Sequence, residues 1–189
     1  MNKRQPTPPD ANKVMSNQAA KTSTLSGRNI IKSLKSAEIE YVLSVPDITT
    51  SDGLLWPIAR DRSLRLIRVC KEDEAIGIAA GLWACGKRSL ILIQNTGFLY
   101  SINALRAIAM EYRQPICLMI GLLLKEEGVS PEHSRQFGVR IVPPILRTLG
   151  MRHHIIDSDE DSSMLTSLVN AAYDQSHPVA FLFGRSPAP

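Results

Sequence analysis

"LRLIRVCKEDEAIGIAAGLWACGKRSLILIQ", Leu64 to Gln94, reads as strand, helix, strand. Leu64 to Cys70 has the alternation of a strand. Glu72 to Cys85 opens on acids, continues in small and apolar residues, and reaches Gly86 as a left-handed cap. Ser89 to Gln94 is continuously apolar until its last residue. A helix between two strands is the crossover that parallel neighbours require. A strand apolar on both sides is covered on both faces. This one stretch therefore predicts a parallel sheet between helical layers.

The same pattern extends outward. Helices are expected at Arg28 to Ala37, Ser51 to Arg60 with Trp56 inward, Ser101 to Tyr112, Pro144 to Leu149 and Asp161 to Gln175. Strands are expected at Tyr41 to Val45, ended by Pro46, and at Ile116 to Gly121, His154 to Ile156 and Val179 to Phe183. A polar loop spans Lys125 to Gly138. The expectation is one α/β domain, residues 26–189, built as three layers around a mostly parallel six-stranded sheet with helices on both faces. Residues 1–25 are polar and proline-dotted and read as a disordered tail.

Composition narrows the function classes. The 189 residues are 44% hydrophobic with a net charge of +4, and the basic residues form no stripe interleaved with aromatics, which argues against nucleic acid. No apolar run reaches the ~18 residues of a membrane span. Cys70, Cys85 and Cys117, an odd number without CxxC spacing, read as reduced, buried thiols of a cytoplasmic protein. GxGxxG and GxxxxGK[ST] phosphate loops are absent, as is a GxSxG elbow. His153 and His154 would point to opposite faces of a strand, and no metal-ligand spacing occurs, so no metal site is expected on this chain.

What remains is an odd junction. Glu72, Asp73 and Glu74 run straight into a helix that Gly77 and Gly81 each weaken by about 1 kcal/mol relative to alanine. Acids in a first helical turn favour the dipole, which accounts for one or two of the three. The glycines, four apart on one face, suggest that another backbone or a partner chain comes close. In open α/β sheets, ligands sit beyond the carboxyl ends of strands, and the acids lie on that edge.

At these residues the chain resembles the pyrimidine-binding (PYR) domain of thiamine diphosphate enzymes. That family carries a glutamate nine residues before a glycine in an alanine-rich segment, and counting back from Gly81 reaches Glu72. "LIQNTGFLYSINAL", Leu92 to Leu105, is similar to a stretch of the α subunits of sulfopyruvate decarboxylase and to its counterpart in phosphonopyruvate decarboxylase. "YVLSVPD", Tyr41 to Asp47, resembles that family's VSVP segment and brings in Pro46. Leu99 and Tyr100 depart from the pattern, which has glycine and a small polar residue there, so bulk should narrow or reshape the pocket.

The resemblance implies a thiamine diphosphate fold of PYR type and a 2-oxo acid decarboxylase. Glu72 would be the catalytic group, hydrogen-bonded to the cofactor's aminopyrimidine. Pro46, Gln94, Asn95, Thr96 and Gly97 would surround the ring, with Asn95 and Thr96 open to the alternative of merely making the turn. Asn95, His133 and Arg135 would meet the substrate. Thiamine diphosphate and Mg²⁺ would be held mainly by a β subunit whose PP domain carries a GDG…N motif, since this chain has no GDG and the SDG at Ser51 to Gly53 is misplaced. Contacts between copies of the α/β unit are implied as well. The other readings are a non-catalytic, regulatory PYR-fold subunit and a carboligase subunit.

Overall fold

The structure is a computed structural model that describes residues 24–189; the expectation for the tail falls, up to residue 23, outside the described residues. Helix α1 (Gly27–Ser36) is capped by Ser26, whose Oγ accepts the Asn29 N–H, and buries Ile30, Ile31 and Leu34. Strand β1 (Tyr41–Ser44) follows, then a π-helical turn (Ser51–Leu55) running into α2 (Trp56–Arg60). Next come β2 (Arg65–Arg68), α3 (Glu72–Ala84) and β3 (Ser89–Gln94). After β3 the chain enters α4 (Asn95–Tyr100) at once, continues through the short α5 (Ile102–Ala104) and a π-helical segment (Leu105–Glu111), and reaches β4 (Cys117–Gly121). A 3₁₀ turn (Pro131–His133) leads to α6 (Phe137–Arg140) and α7 (Val142–Thr148). Strand β5 (Arg152–Ile155), α8 (Asp159–Ser162), α9 (Leu165–Asp174) and β6 (Val179–Phe183) complete the domain.

The six strands of the described residues are all parallel, in the order β2-β1-β3-β4-β6-β5. Period-two alternation deals successive residues to the two faces. Leu90 and Leu92 of β3 join the layer formed with α1, α2 and α9, while Ile91 and Ile93 join the layer formed with α3, α4 and α7. Burying each such side chain contributes roughly 1.5–3 kcal/mol, so the four inner residues of β3 alone anchor both layers. Ser44 Oγ donates to the Leu92 carbonyl (2.8 Å), tying β1 to β3 beyond the ladder. The chain leaves β1 toward β2 and returns to β3 on the opposite side. The crevice at the carboxyl ends of β1 and β3 is thus the switch point where open α/β sheets bind ligands.

Several expectations need correction. Trp56 is 43% exposed rather than inward, because Leu54, Leu55 and Ile58 take the core side of that segment. Cys70 and Cys85 are exposed; Cys85 follows the last turn of α3 at the surface, and only Cys117, in a central strand, is buried. Burial pushes the Cys117 thiol up to about 12, against the opposing charge of Arg88. The single helix expected over Asp161 to Gln175 is two helices, α8 and α9. The edge strands β2 and β5 are only partly covered, unlike the inner strands β3, β4 and β6.

Candidate active site

The three acids at the mouth of α3 have three different fates. Glu74 closes the helix end: its Oε2 accepts the N–H groups of Cys70 and Lys71, both at 3.3 Å. Asp73 holds Oδ1 buried without a hydrogen-bond partner among the described residues. Glu72, half-buried, lies across α4 with its side chain against the Cα of Gly97. A Cβ on residue 97 would fall inside the van der Waals envelope of Glu72 Cγ, Cδ and Oε1. The glycine is therefore the seat of this carboxylate. The seat exists because the chain enters α4 directly from β3, with no intervening turn.

The other β3-exit residues divide the work. Gln94 and Thr96 face outward and bond to each other, Thr96 Oγ1 donating to Gln94 Oε1 at 2.9 Å. Asn95 is 6% exposed, and its Oδ1 accepts the Leu123 N–H at 3.1 Å, clamping the exit of β3 to that of β4. Asn95 is thus a clamp inside a helix start rather than part of a turn. Pro46, after β1, is exposed on the same edge. Leu99 packs into the core layer and Tyr100 is 58% exposed.

His133 and Arg135 stand on the loop after β4, both exposed. Neither makes a hydrogen bond or ion pair to Glu72, Gln94 or Thr96. His133 Nδ1 pairs with Ser130 Oγ at 2.9 Å. The structure thus brings Glu72 and Gly97 together, bonds Gln94 to Thr96, and ties the loop of His133 and Arg135 to the site through Asn95.

Asp47, the last residue of the YVLSVPD segment, was not among the expected site residues. It is buried, its Oδ1 accepts the N–H groups of Thr49 (2.6 Å) and Thr50 (3.1 Å), and its Oδ2 takes the Thr50 hydroxyl. Its signal is an aspartate two residues ahead of a Thr-Thr pair, the composition of an Asx turn. Gly121, at the end of β4, leaves room for it: a Cβ there would stand 2.8 Å from Asp47 Oδ1. Among the described residues, no cluster of three or more His, Cys, Asp or Glu could hold a metal ion.

Chemically, the exit of β3 offers the Glu72 carboxylate in a fixed place, neutral amide and hydroxyl groups beside it and a bare glycine backbone under it, while the Asp47 carboxylate is taken up by its own turn. That donor set suits a flat, neutral heterocycle able to share a proton.

No protein-family model matches the chain. Among curated proteins, it is 36% identical to the "Sulfopyruvate decarboxylase subunit alpha" of Methanocaldococcus jannaschii over 91 residues, 48% of this chain and 53% of that protein. The Methanococcus maripaludis protein of the same name is 30% identical over 91 residues, 48% of this chain and 54% of the relative. The "Sulfopyruvate decarboxylase" of Methanosarcina acetivorans is 28% identical over 113 residues, 59% of this chain but 28% of that longer protein. The matched stretch thus spans about half the length of the α-subunit relatives. Over about half of its own length, the chain is similar to proteins named as α subunits of sulfopyruvate decarboxylase.

Proposed function

We propose that this chain is the α subunit of a heteromeric, thiamine-diphosphate-dependent decarboxylase of 2-oxo acids, with sulfopyruvate the first substrate to try and phosphonopyruvate the second. The observation that carries the reading is the Glu72 side chain seated on Gly97 at the carboxyl edge of a parallel sheet. The relationship to proteins named as α subunits supports a partner chain. So does the match to one part of a longer protein of the same named activity.

Thiamine diphosphate, when bound, supplies the electron sink that lets a 2-oxo acid lose carbon dioxide. The residues of this chain would do the rest on its pyrimidine side. Glu72 would hold and return a proton at a ring nitrogen, its position set by the Gly97 seat. Gln94 and Thr96 would orient the ring through neutral hydrogen bonds, with Pro46 and Gly97 shaping the surface beneath it. His133 and Arg135 would meet the anionic end of the substrate. The diphosphate and Mg²⁺ would belong to a β subunit with a PP domain, and the exposed Gly77 and Gly81 face of α3 would lie in that contact, repeated between copies of the α/β unit.

The test is co-expression with a PP-domain chain and a carbon dioxide release assay over a panel of 2-oxo acids. Release that requires both chains, thiamine diphosphate and Mg²⁺ is expected. A stable complex that binds thiamine diphosphate and releases no carbon dioxide from any 2-oxo acid would favour a regulatory subunit, and release accompanied by an acyloin rather than an aldehyde would mark a carboligase.

A further inference from the structure

The loop carrying His133 and Arg135 begins and ends on one residue. Asn95 takes the Leu123 N–H at its start. At its end Gly138 packs so closely that a Cβ there would stand 3.3 Å from Asn95 Nδ2. Between these points one carboxylate holds the Ser134–Arg135 turn. Glu126 Oε1 accepts the Arg135 N–H at 2.9 Å, and Oε2 accepts the Ser134 hydroxyl at 2.7 Å. Ser134 is 1% exposed; its Oγ accepts the Gln136 N–H (3.1 Å), and its carbonyl accepts Arg140 Nη1 (2.8 Å). The Arg135 guanidinium makes no hydrogen bond or ion pair among the described residues.

We propose that Glu126 is the positioning residue of this loop, fixing the turn from which Arg135 and His133 meet the anionic tail of the 2-oxo acid. The substrate half of this statement rests on the decarboxylase reading above; the ordering of the loop does not. Truncating the side chain at 126 would release the Ser134–Arg135 turn from its carboxylate, leaving Arg135 only the 3.4 Å bond from Arg140 Nη1 to its carbonyl.

The charged neighbours are consistent with this role. Lys125 Nζ donates to the Glu126 carbonyl at 3.2 Å, Arg140 reaches in from α6, and Arg135 adds its charge from the loop. Glu132 is paired with Arg147 of α7, and Glu127 with Arg185 beyond β6. The Ser134 hydroxyl first, then backbone N–H groups, hold the Glu126 carboxyl below its ordinary value. Its contribution to loop order is thus present above the ordinary glutamate range and is lost only as the pH falls below it.

Hydrogen exchange on the full chain tests the first half, and KM against kcat in the complex tests the second. Glu126→Ala should speed exchange over residues 130–136 by about tenfold or more and leave the sheet unchanged. The same variant should raise KM for the 2-oxo acid about tenfold with kcat within about twofold. Glu126→Gln, which keeps an acceptor for the Arg135 N–H, should fall between, and the parent should stay protected from pH 7 to about pH 5. Unchanged exchange in Glu126→Ala overturns the proposal, as does a loosened loop with an unchanged KM. An inactive parental complex would count against the decarboxylase reading; the exchange result would still decide whether Glu126 orders the loop.

Discussion

Replacing Gly97 by alanine puts a methyl group where the Glu72 side chain now lies. The backbone at 97 is helical and outside the left-handed region, so alanine fits its conformation and gains about 1 kcal/mol of helix propensity. Glu72 sits in the first turn of α3, half exposed, and can swing aside; an off-rotamer shift costs about 0.5–1.5 kcal/mol. The two effects nearly cancel. Stability should change by less than about 1 kcal/mol, a shift of less than about 4 °C in Tm for a domain of this size. The carboxylate, however, must move by roughly 1 Å or more, and misplacement on that scale costs about 10² in turnover. The assay pairs a thermal melt with carbon dioxide release by the reconstituted complex. Parental turnover in Gly97→Ala would refute the idea that the glycine seats the carboxylate. A Tm loss of about 10 °C would mean that the backbone, rather than Glu72, takes up the methyl group.

Gly77→Ala and Gly81→Ala provide the contrast. Nothing lies within 4 Å of a Cβ at either site, so each should stabilise the isolated chain by about 1 kcal/mol in urea melts. If a partner backbone packs on that face, the same changes should weaken association in analytical ultracentrifugation; unaltered assembly would remove α3 from the interface. Thiol titration of the native chain should find Cys70 and Cys85 reactive at pH 8 and Cys117 only after unfolding, since its thiol lies near 12. The Lys35 hydrogen bond, then the Ser63 hydroxyl and N–H, hold Asp61 down at about 2. The stability it contributes is therefore full above about pH 4 and lost as the pH falls toward 2. Asp61→Asn should flatten the pH dependence of urea midpoints across that window, and an unchanged slope would contradict it.

Much of the fold was legible because its strands are short and apolar. Leu90 to Ile93 and Val179 to Phe183 leave no polar position for a solvent face, and that alone implies helices on both sides of a parallel sheet. The edge strands were harder: Arg65 to Arg68 and Arg152 to Ile155 are half covered, so their pattern blurs. Asn95-Thr96-Gly97 has the composition of a turn and turned out to be a helix start. Its glycine serves no backbone need of its own; it makes room for a side chain from another element, a tertiary fact that no local pattern carries. Glu72 was singled out from its two acidic neighbours only by the resemblance to the PYR domain, and its seat on Gly97 was carried by neither the resemblance nor the local pattern. The Glu126 clamp links residues nine apart through a loop without periodicity, where neither helix nor strand spacing offers a guide.

Under the proposed function, the carboxylate of Glu72 passes a proton to and from a bound heterocycle. Glu72→Gln keeps the shape of that side chain and removes its ability to do so. In the reconstituted complex, the variant should assemble as the parent does and release carbon dioxide at least about 10²-fold more slowly, as expected when a general acid–base group is lost. Release at the parental rate from an intact Glu72→Gln complex would rule out that role for Glu72.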